Sequence, residues 1–324
     1  MERIISVDSG KSHTKFDVVR ANGIYENIFP TKVDEVDINE EPEEGTYIAI
    51  VNDKAYRVGA NAVTTAPKST TKMTLHHQIA TWTTLALHVD SGDAVNAAIG
   101  CPLSLFENTE KKNQYKDFIL PKDEIDIKIK TVNGIQSKHF RIGKRLVAPE
   151  GSGIIFQNPS YFANKIVAVI DIGGLNFQAA IYENCSLQHD RWFTKNFGGR
   201  VFIDKLTADI NSEFSTDFDT KIIENKMFME PAENRFIRVE GDNSVREKSM
   251  EFIKEELNQY TKEIFKQCKE GGIDPLNMET WLVGGTASLI SENVKMLYGD
   301  EIHIATDPDR VNARGWCEAL KKLA

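Results

Sequence analysis

The pattern of apolar and polar positions predicts many strands in the first half of the chain and longer helices in the second. YIAIVNDKAYRVG alternates around Asn52-Asp53, and IKIKTVNGIQSKHFRIG alternates around Asn133-Gly134. Such two-residue turns between alternating segments are typical of β-hairpins. Apolar residues recur at helical spacing in residues 74–88, 202–214 and 244–268, which predicts three helices. The mixture indicates an α/β protein.

One short sequence motif occurs twice. Near the start, the apolar run IISV leads into Asp8-Ser9-Gly10 and the chain returns through residues 15–19. Near the middle, IVAVI leads into Asp171-Ile172-Gly173-Gly174 and the chain returns through residues 177–181. Each is a strand, a glycine turn opened by aspartate, and a second strand. The two aspartates are 163 residues apart, half of the 324-residue chain, so the sequence predicts two similarly built halves.

A third glycine turn follows the strand predicted at residues 281–283. Gly284-Gly285-Thr286 precedes residues 287–297, which have helical spacing. A strand, a glycine turn and a helix N-terminus together can bind an anion through backbone N–H groups. This turn is therefore a candidate ligand site.

Charge and length limit the function classes. The chain has 39 Lys and Arg against 48 Asp and Glu, a net charge of −9, which disfavours direct nucleic-acid binding. Its length suggests two domains. No apolar run approaches the ~18 residues of a membrane span, and the chain does not open on a basic segment followed by an apolar one. We therefore expect a cytoplasmic protein that does not bind membranes. The acidic segment 34–44 is expected to be a solvated loop.

The duplicated turn suggests nucleotide chemistry. Glycines let backbone N–H groups approach an anion closely, and Asp8 and Asp171 would place two carboxylates beside that anion. Two carboxylates next to phosphate require a cation, and Mg²⁺ prefers oxygen ligands and retains waters that carboxylates can hold. Lys15 on the return strand could offset further phosphate charge. These features favour a magnesium nucleotide between the two halves.

Several segments resemble motifs of the actin-like ATPases, and within them of the ParM/StbA plasmid-segregation group. They follow the order of that family along nearly the whole chain. The segments are VDSGKSHTKF, LVAPEGSG, VIDIGGLNF, NFGGRVFIDKL, WLVGGTASLI and DPDRVNARGWCEAL.

The resemblance implies an α/β actin-like fold with two related domains around a nucleotide cleft. Residues 1–155, completed by 305–324, would form domain I, and 156–304 domain II. It implies that Glu150 orients the attacking water, that Asp171 is also catalytic, and that Asp8 and Asp171 hold magnesium through waters. The implied nucleotide-binding residues are Asp8, Ser9, Gly10, Lys11, Ser12, Lys15, Gly173, Gly174, Leu175, Asn176, Gly198, Gly199, Gly284, Gly285 and Thr286.

The same resemblance implies the activity and the partners. The cofactors would be ATP, with GTP as the alternative, and Mg²⁺, and hydrolysis would be coupled to a head-to-tail filament of the chain itself. The filament would segregate plasmid DNA through a DNA-bound adaptor protein. The family often has Thr and Asp where this chain has Leu175 and Gln178, so a Thr hydroxyl contact is not implied. Two alternatives remain: a small-molecule kinase acting on sugars or acids, and an actin-like scaffold that binds ATP without hydrolysing it.

Overall fold

The computed structural model describes residues 3–67 and 71–323. They form two compact units. One consists of the described residues up to Ser160 together with those from Arg310 onward, and the other of Tyr161–Asp309.

The strands of the described residues form one sheet in each unit. The first unit has nine strands in the order β3-β2-β1-β7-β9-β8-β5-β6-β4, and the second has five in the order β12-β11-β10-β13-β14. In the first unit they are β1 (Arg3–Ser9), β2 (His13–Arg20), β3 (Gly23–Pro30), β4 (Val33–Val36), β5 (Thr46–Val51), β6 (Lys54–Gly59), β7 (Ala94–Cys101), β8 (Ile125–Thr131) and β9 (Gly134–Pro149). In the second they are β10 (Ile166–Ile172), β11 (Phe177–Glu183), β12 (Ser186–Lys195), β13 (Glu279–Val283) and β14 (Ile302–Ile304).

The helices include the three that the sequence predicts. In chain order they are α1 (Leu75–His88), α2 (Leu103–Phe106), α3 (Thr109–Ile119), α4 (Gly153–Gln157), α5 (Pro159–Phe162), α6 (Gly199–Phe214), α7 (Thr220–Met227), α8 (Ser244–Glu270), α9 (Gly285–Leu289), α10 (Ser291–Tyr298) and α11 (Val311–Leu323). No helix in the described parts of the chain is both long and apolar enough to cross a bilayer.

The predicted duplication is present in the strand pairing. The series β3-β2-β1-β7-β9 and the series β12-β11-β10-β13-β14 each contain two antiparallel pairs followed by two parallel pairs. In both, the duplicated glycine turn joins the second and third strands of the series. The α/β fold class with two related domains is therefore confirmed.

Both faces of the first sheet are covered where β1 and β2 lie. Phe16 and Val18 pack with Ile79 and other residues of α1 in the main core. On the opposite face, Val19 packs against a smaller cluster that includes Trp316 of α11. Burial on both faces explains why β1 and β7 read as nearly continuous apolar runs rather than alternating ones.

One local expectation was wrong, and a second holds only for part of its segment, since residues 34–36 are a strand and 37–44 a largely exposed loop. The single helix expected at residues 287–297 is divided into α9 and α10, because Ile290 has a ψ of 5° that interrupts the helical geometry. The acidic segment 34–44 is not simply a solvated loop. Asp34 lies in β4 and accepts hydrogen bonds from the backbone N–H groups of Val63 and Thr64, and Arg57 pairs with both Asp34 and Glu40.

A buried carboxylate lies between β2 and α11. Asp17 is 0% exposed, and neither of its oxygens has a hydrogen-bond partner among the described residues. It lies directly opposite Glu26 of β3, and the guanidinium of Arg310 is 3.9 Å away. Burial, reinforced by Glu26, raises the pKa of Asp17 to about 7, although Arg310, Arg314 and Lys321 oppose the shift.

We expect Asp17 to make the first unit less stable as pH rises. A carboxyl whose pKa is raised in the folded state stabilises the fold fully below the pKa of the unfolded chain, and this contribution is lost as pH rises through the folded pKa. The free energy of unfolding of the wild type should therefore fall by about 2–4 kcal/mol between pH 4 and pH 7 because of Asp17. In Asp17→Asn this fall should be absent. Denaturant titrations across this range measure the slope.

The exposed Asp123, changed to Asn, serves as the control for the Asp17 titration. Equal slopes in the wild type and in Asp17→Asn would show that folding does not raise the pKa of Asp17 and would contradict the assignment.

Candidate functional site

The first glycine turn joins β1 to β2. The N–H of Gly10 donates to the carbonyl oxygen of Asp8 at 3.0 Å and to that of His13 at 2.9 Å. A Cβ at Gly10 would lie 2.8 Å from the His13 oxygen, so the turn requires glycine. Lys15 lies directly opposite Asp8 in the strand register. The turn therefore fixes a carboxylate and an ammonium group side by side at the strand ends.

The two serines expected to bind nucleotide have roles within the turn. The hydroxyl of Ser9 is buried and lies 3.3 Å from that of Thr14, which in turn lies 2.8 Å from the hydroxyl of Thr31. The carbonyl oxygen of Ser12 accepts a hydrogen bond from the N–H of Thr31. These contacts hold the turn against the start of the segment that leads to β4.

A buried lysine joins the first turn to Glu150. Lys72 is only 5% exposed, and its ammonium nitrogen lies 2.6 Å from the carboxylate of Glu150 and 3.6 Å from that of Asp8. Burial by itself would lower the pKa of Lys72, but the two carboxylates outweigh burial and raise the pKa above its ordinary value. Lys72 is therefore a permanent cation between two carboxylates, and we call Asp8, Lys72 and Glu150 the charged cluster.

A second lysine ties the same turn to the chain that precedes α1. The ammonium group of Lys11 donates to the carbonyl oxygens of Pro67 and Thr71, at 3.0 and 2.9 Å. Burial, with a contribution from the positive charge of Lys72, lowers the pKa of Lys11 to about 8. Lys11 is thus more easily deprotonated than an ordinary lysine, and an anion placed nearby would favour its charged form.

Glu150 directly follows β9, where several backbone contacts hold it. Its N–H donates to the carbonyl oxygen of Cys101 at 3.0 Å, and the side-chain oxygen of Asn312 lies 3.1 Å from the N–H of Gly151 and 3.4 Å from that of Gly153. Asn312 belongs to α11, so the C-terminal helix helps to fix the turn that carries Glu150.

The second glycine turn, in the other unit, has the same construction. The N–H of Gly173 donates to the carbonyl oxygen of Asn176 at 3.0 Å, and Asp171 lies opposite Gln178 in the register of β10 and β11. Asp171 and Gln178 are both buried. Gln178 therefore stands where the first turn has Lys15, so the two turns share a carboxylate but not a cation.

The start of α6 supports this second turn. Three N–H groups donate to its carbonyl oxygens: Gly198 to Leu175 at 3.0 Å, Gly199 to Gly173 at 2.9 Å and Arg200 to Gly174 at 2.7 Å. A Cβ at Gly198 would lie 2.6 Å from the backbone nitrogen of Asn176, and one at Gly199 would lie 2.3 Å from the hydroxyl of Thr286. These glycines are needed for close packing, and their N–H groups shape the turn.

The third glycine turn lies against Asp171. β10 and β13 are neighbouring parallel strands, and a Cβ at Gly284 would lie 2.4 Å from a carboxylate oxygen of Asp171. Gly284 also has a φ of +91°, which favours glycine. Gly285 begins α9, and the hydroxyl of Thr286 donates to the carbonyl oxygen of Gly173 at 3.1 Å. The second unit thus brings Asp171 and both glycine turns together.

The aspartate of each duplicated glycine turn is of the residue type that holds magnesium beside phosphates. In the part of the chain that the structure describes, no group of three or more His, Cys, Asp and Glu side chains is placed to hold a metal ion. Magnesium in phosphate sites is usually held by one or two carboxylates, with substrate phosphates and waters as its remaining ligands. Asp8 in the first unit and Asp171 in the second each supply one carboxylate of the kind that such sites use.

The sequence gives no signal for Lys72. It lies in the polar segment STTKMT, which suggests a solvated loop, and its importance becomes evident only from its burial beside two carboxylates.

Comparisons with known proteins agree with this geometry. Residues 6–153 match the family model described as the N-terminal domain of actin-like proteins. The Alp12 filament structure matches with 25% identity and a TM-score of 0.73, over 99% of each chain. An archaeal actin homologue, Ta0583, matches with 14% identity and a TM-score of 0.81, over 99% of this chain and 100% of that one. No curated protein has a significantly similar sequence.

Further solved structures extend the comparison. The archaeal homologue in complex with ADP matches with 15% identity and a TM-score of 0.72, over 98% of this chain and 99% of that one. A 15-stranded ParM filament from Clostridium botulinum matches with 13% identity and a TM-score of 0.72, over 99% of each chain. The resemblance to actin-like proteins is thereby confirmed for residues 6–153, and the chain has the actin-like fold.

Proposed function

We propose that this actin-like protein binds and hydrolyses magnesium ATP, with GTP as the alternative nucleotide, and that ATP binding drives its assembly into head-to-tail filaments. The filaments would segregate plasmid DNA through a DNA-bound adaptor protein. The observation that carries the proposal is the charged cluster, because in it a partly buried Glu150 and Asp8 share the ammonium group of Lys72 next to the first glycine turn.

The chemistry is phosphoryl transfer to water. The water oxygen bonds to the terminal phosphorus, the bond from that phosphorus to the bridging oxygen breaks, and ADP leaves with the electron pair. Such a reaction depends on positioning and charge neutralisation and needs no covalent nucleophile. Magnesium, when bound, would neutralise phosphate charge, with Asp8 and Asp171 holding its waters.

Within the chain, each charged group has one role in this proposal. Glu150 orients the attacking water and accepts its proton. Lys72 holds Glu150 in place and compensates the charge of Asp8, so it is a positioning residue. Lys15, opposite Asp8, offsets phosphate charge. The glycines let the backbone of each turn approach the nucleotide closely. The donors are N–H groups of other turn residues, since those of Gly10, Gly173, Gly198 and Gly199 already donate within the protein.

Filament formation and nucleotide binding draw support from the related structures. Alp12 and the Clostridium botulinum ParM are filaments, and the archaeal homologue is a complex with ADP. The net charge of −9 disfavours direct contact with DNA phosphates, which supports the use of a separate adaptor. Leu175 stands where the actin-like family often has Thr, which favours the non-hydrolysing scaffold as the second candidate. The test must therefore separate assembly from hydrolysis.

Light scattering with magnesium and ATP, ADP, GTP or no nucleotide tests the proposal. We expect light scattering to rise when ATP is added at micromolar protein concentration. The assembled protein should then pellet on centrifugation. ATP-dependent assembly without phosphate release would favour the scaffold. A chain that stays monomeric under all four conditions would contradict the proposed function.

A further inference from the structure

A groove of about 360 Å³ lies beside α7 in the second unit. Its apolar lining includes Phe218, Ile222, Met229 and Phe236. Ile222 is 47% exposed, and Met229 is also exposed. Exposed apolar side chains around a concave surface indicate a contact site for another molecule.

The rim of the groove is cationic. Arg246, Arg238 and Lys226 surround the ring of Phe236, with their charged ends 4.6, 5.3 and 5.7 Å from the ring centroid. Among the described residues that line the groove there is no carboxylate. In a chain with nine more acidic than basic residues, a groove with such a lining is suited to an acidic partner.

One wall of the groove is fixed to the rest of the unit. The guanidinium group of Arg235 is buried and donates to the carbonyl oxygen of Met229 at 3.2 Å and to that of Leu289 at 3.1 Å. Leu289 ends α9, the helix that begins with the third glycine turn. The groove is therefore preformed, and hydrogen bonds connect its wall to a helix that we assign to nucleotide binding.

We infer that the groove is an assembly surface that receives a second copy of this chain. The inference rests on the proposed filament function and names one of its contacts. Two copies with a charge of −9 each repel one another, so a stable contact must place cations of one copy against carboxylates of the other. The cationic rim and the apolar floor supply one side of such a contact.

The same chain carries the complementary chemistry elsewhere. Ile38 is 44% exposed and lies within the acidic segment 34–44, next to the exposed Asp37. An apolar side chain beside carboxylates is what the groove would accept. A contact between two different surfaces of one chain does not close on itself, so it generates an open filament.

Charge reversal at the rim tests the inference in the full-length protein. We expect Arg238→Glu with Arg246→Glu to raise the critical concentration for ATP-driven assembly at least about tenfold, while ATP affinity stays unchanged. Both arginines are exposed, so the variant should fold. Ile222→Ser tests the apolar part separately. Lys254→Glu with Lys262→Glu is the matched control, because it makes the same charge change at exposed positions of α8.

Mixing gives a second readout. A subunit with a defective groove can still add to a filament through its other surface but cannot accept the next copy, so one variant per ten wild-type chains should shorten wild-type filaments. An unchanged critical concentration for both groove variants, with normal assembly of the wild type, would overturn the inference alone. Failure of the wild type to assemble would instead contradict the proposed function and remove the premise of the inference.

Discussion

Replacing Glu150 by glutamine is expected to slow phosphate release by about 10²–10⁴-fold, while ATP affinity changes little. The side chain that orients and deprotonates water acts mainly in the transition state, so its loss lowers turnover more than binding. This loss corresponds to about 3–5 kcal/mol of activation free energy. Because hydrolysis ends the ATP state, filaments of Glu150→Gln should persist after wild-type filaments have shortened.

The contacts of the charged cluster explain why Glu150→Gln should keep the fold. Glutamine preserves the volume of Glu150, and Lys72 retains Asp8 as a partner at 3.6 Å. Glu44→Gln, at an exposed position, controls for the loss of one negative charge. Normal phosphate release together with a lowered melting temperature would assign Glu150 to the stability of the fold, and the residue that activates water would have to be sought elsewhere.

Asp171→Asn is expected to lower turnover by about 10²–10³-fold and to raise the magnesium concentration needed for half-maximal activity. Asparagine fills the same buried space but cannot hold magnesium-bound waters with a full negative charge. Gly284→Ala should also lower turnover without changing any charge, and it should lower the melting temperature as well, since its Cβ would lie 2.4 Å from the Asp171 carboxylate and 2.6 Å from the backbone oxygen of Ile172. Phosphate release measured over a magnesium titration provides both numbers.

Asp53→Asn is the matched control for this experiment. Asp53 also occupies a hairpin turn, with a φ of 59°, but at an exposed position. If Asp171→Asn keeps the wild-type turnover and the wild-type magnesium dependence, Asp171 only shapes its turn and the metal assignment is wrong.

The duplicated architecture was predictable because its signals are local. An apolar run, an aspartate and a glycine turn are all short-range features, and their repetition at half the chain length indicates two like-built halves. The close approach at Gly284 and the requirement for glycine at position 10 follow from the same turns.

The charged cluster could not be predicted from sequence, because its members are distant in the chain. Lys72 becomes buried only when β9 brings Glu150 beside the end of β1. Asp17 is another example. Its neighbours in sequence indicate a strand, but its burial depends on α11, which packs on that face of the sheet near the end of the chain. Long-range packing decides both cases.

The central claim is that ATP binding drives assembly and that hydrolysis reverses it. The most direct test follows phosphate release and pelletable mass together, in one reaction started with ATP and magnesium. We predict that pelletable mass rises first, that phosphate release follows, and that the mass then falls as ATP is consumed, whereas with Glu150→Gln the mass rises and stays. Two results would contradict the account. The wild-type chain could release phosphate without ever becoming pelletable, or stable filaments could have the same lifetime in the wild type and in Glu150→Gln.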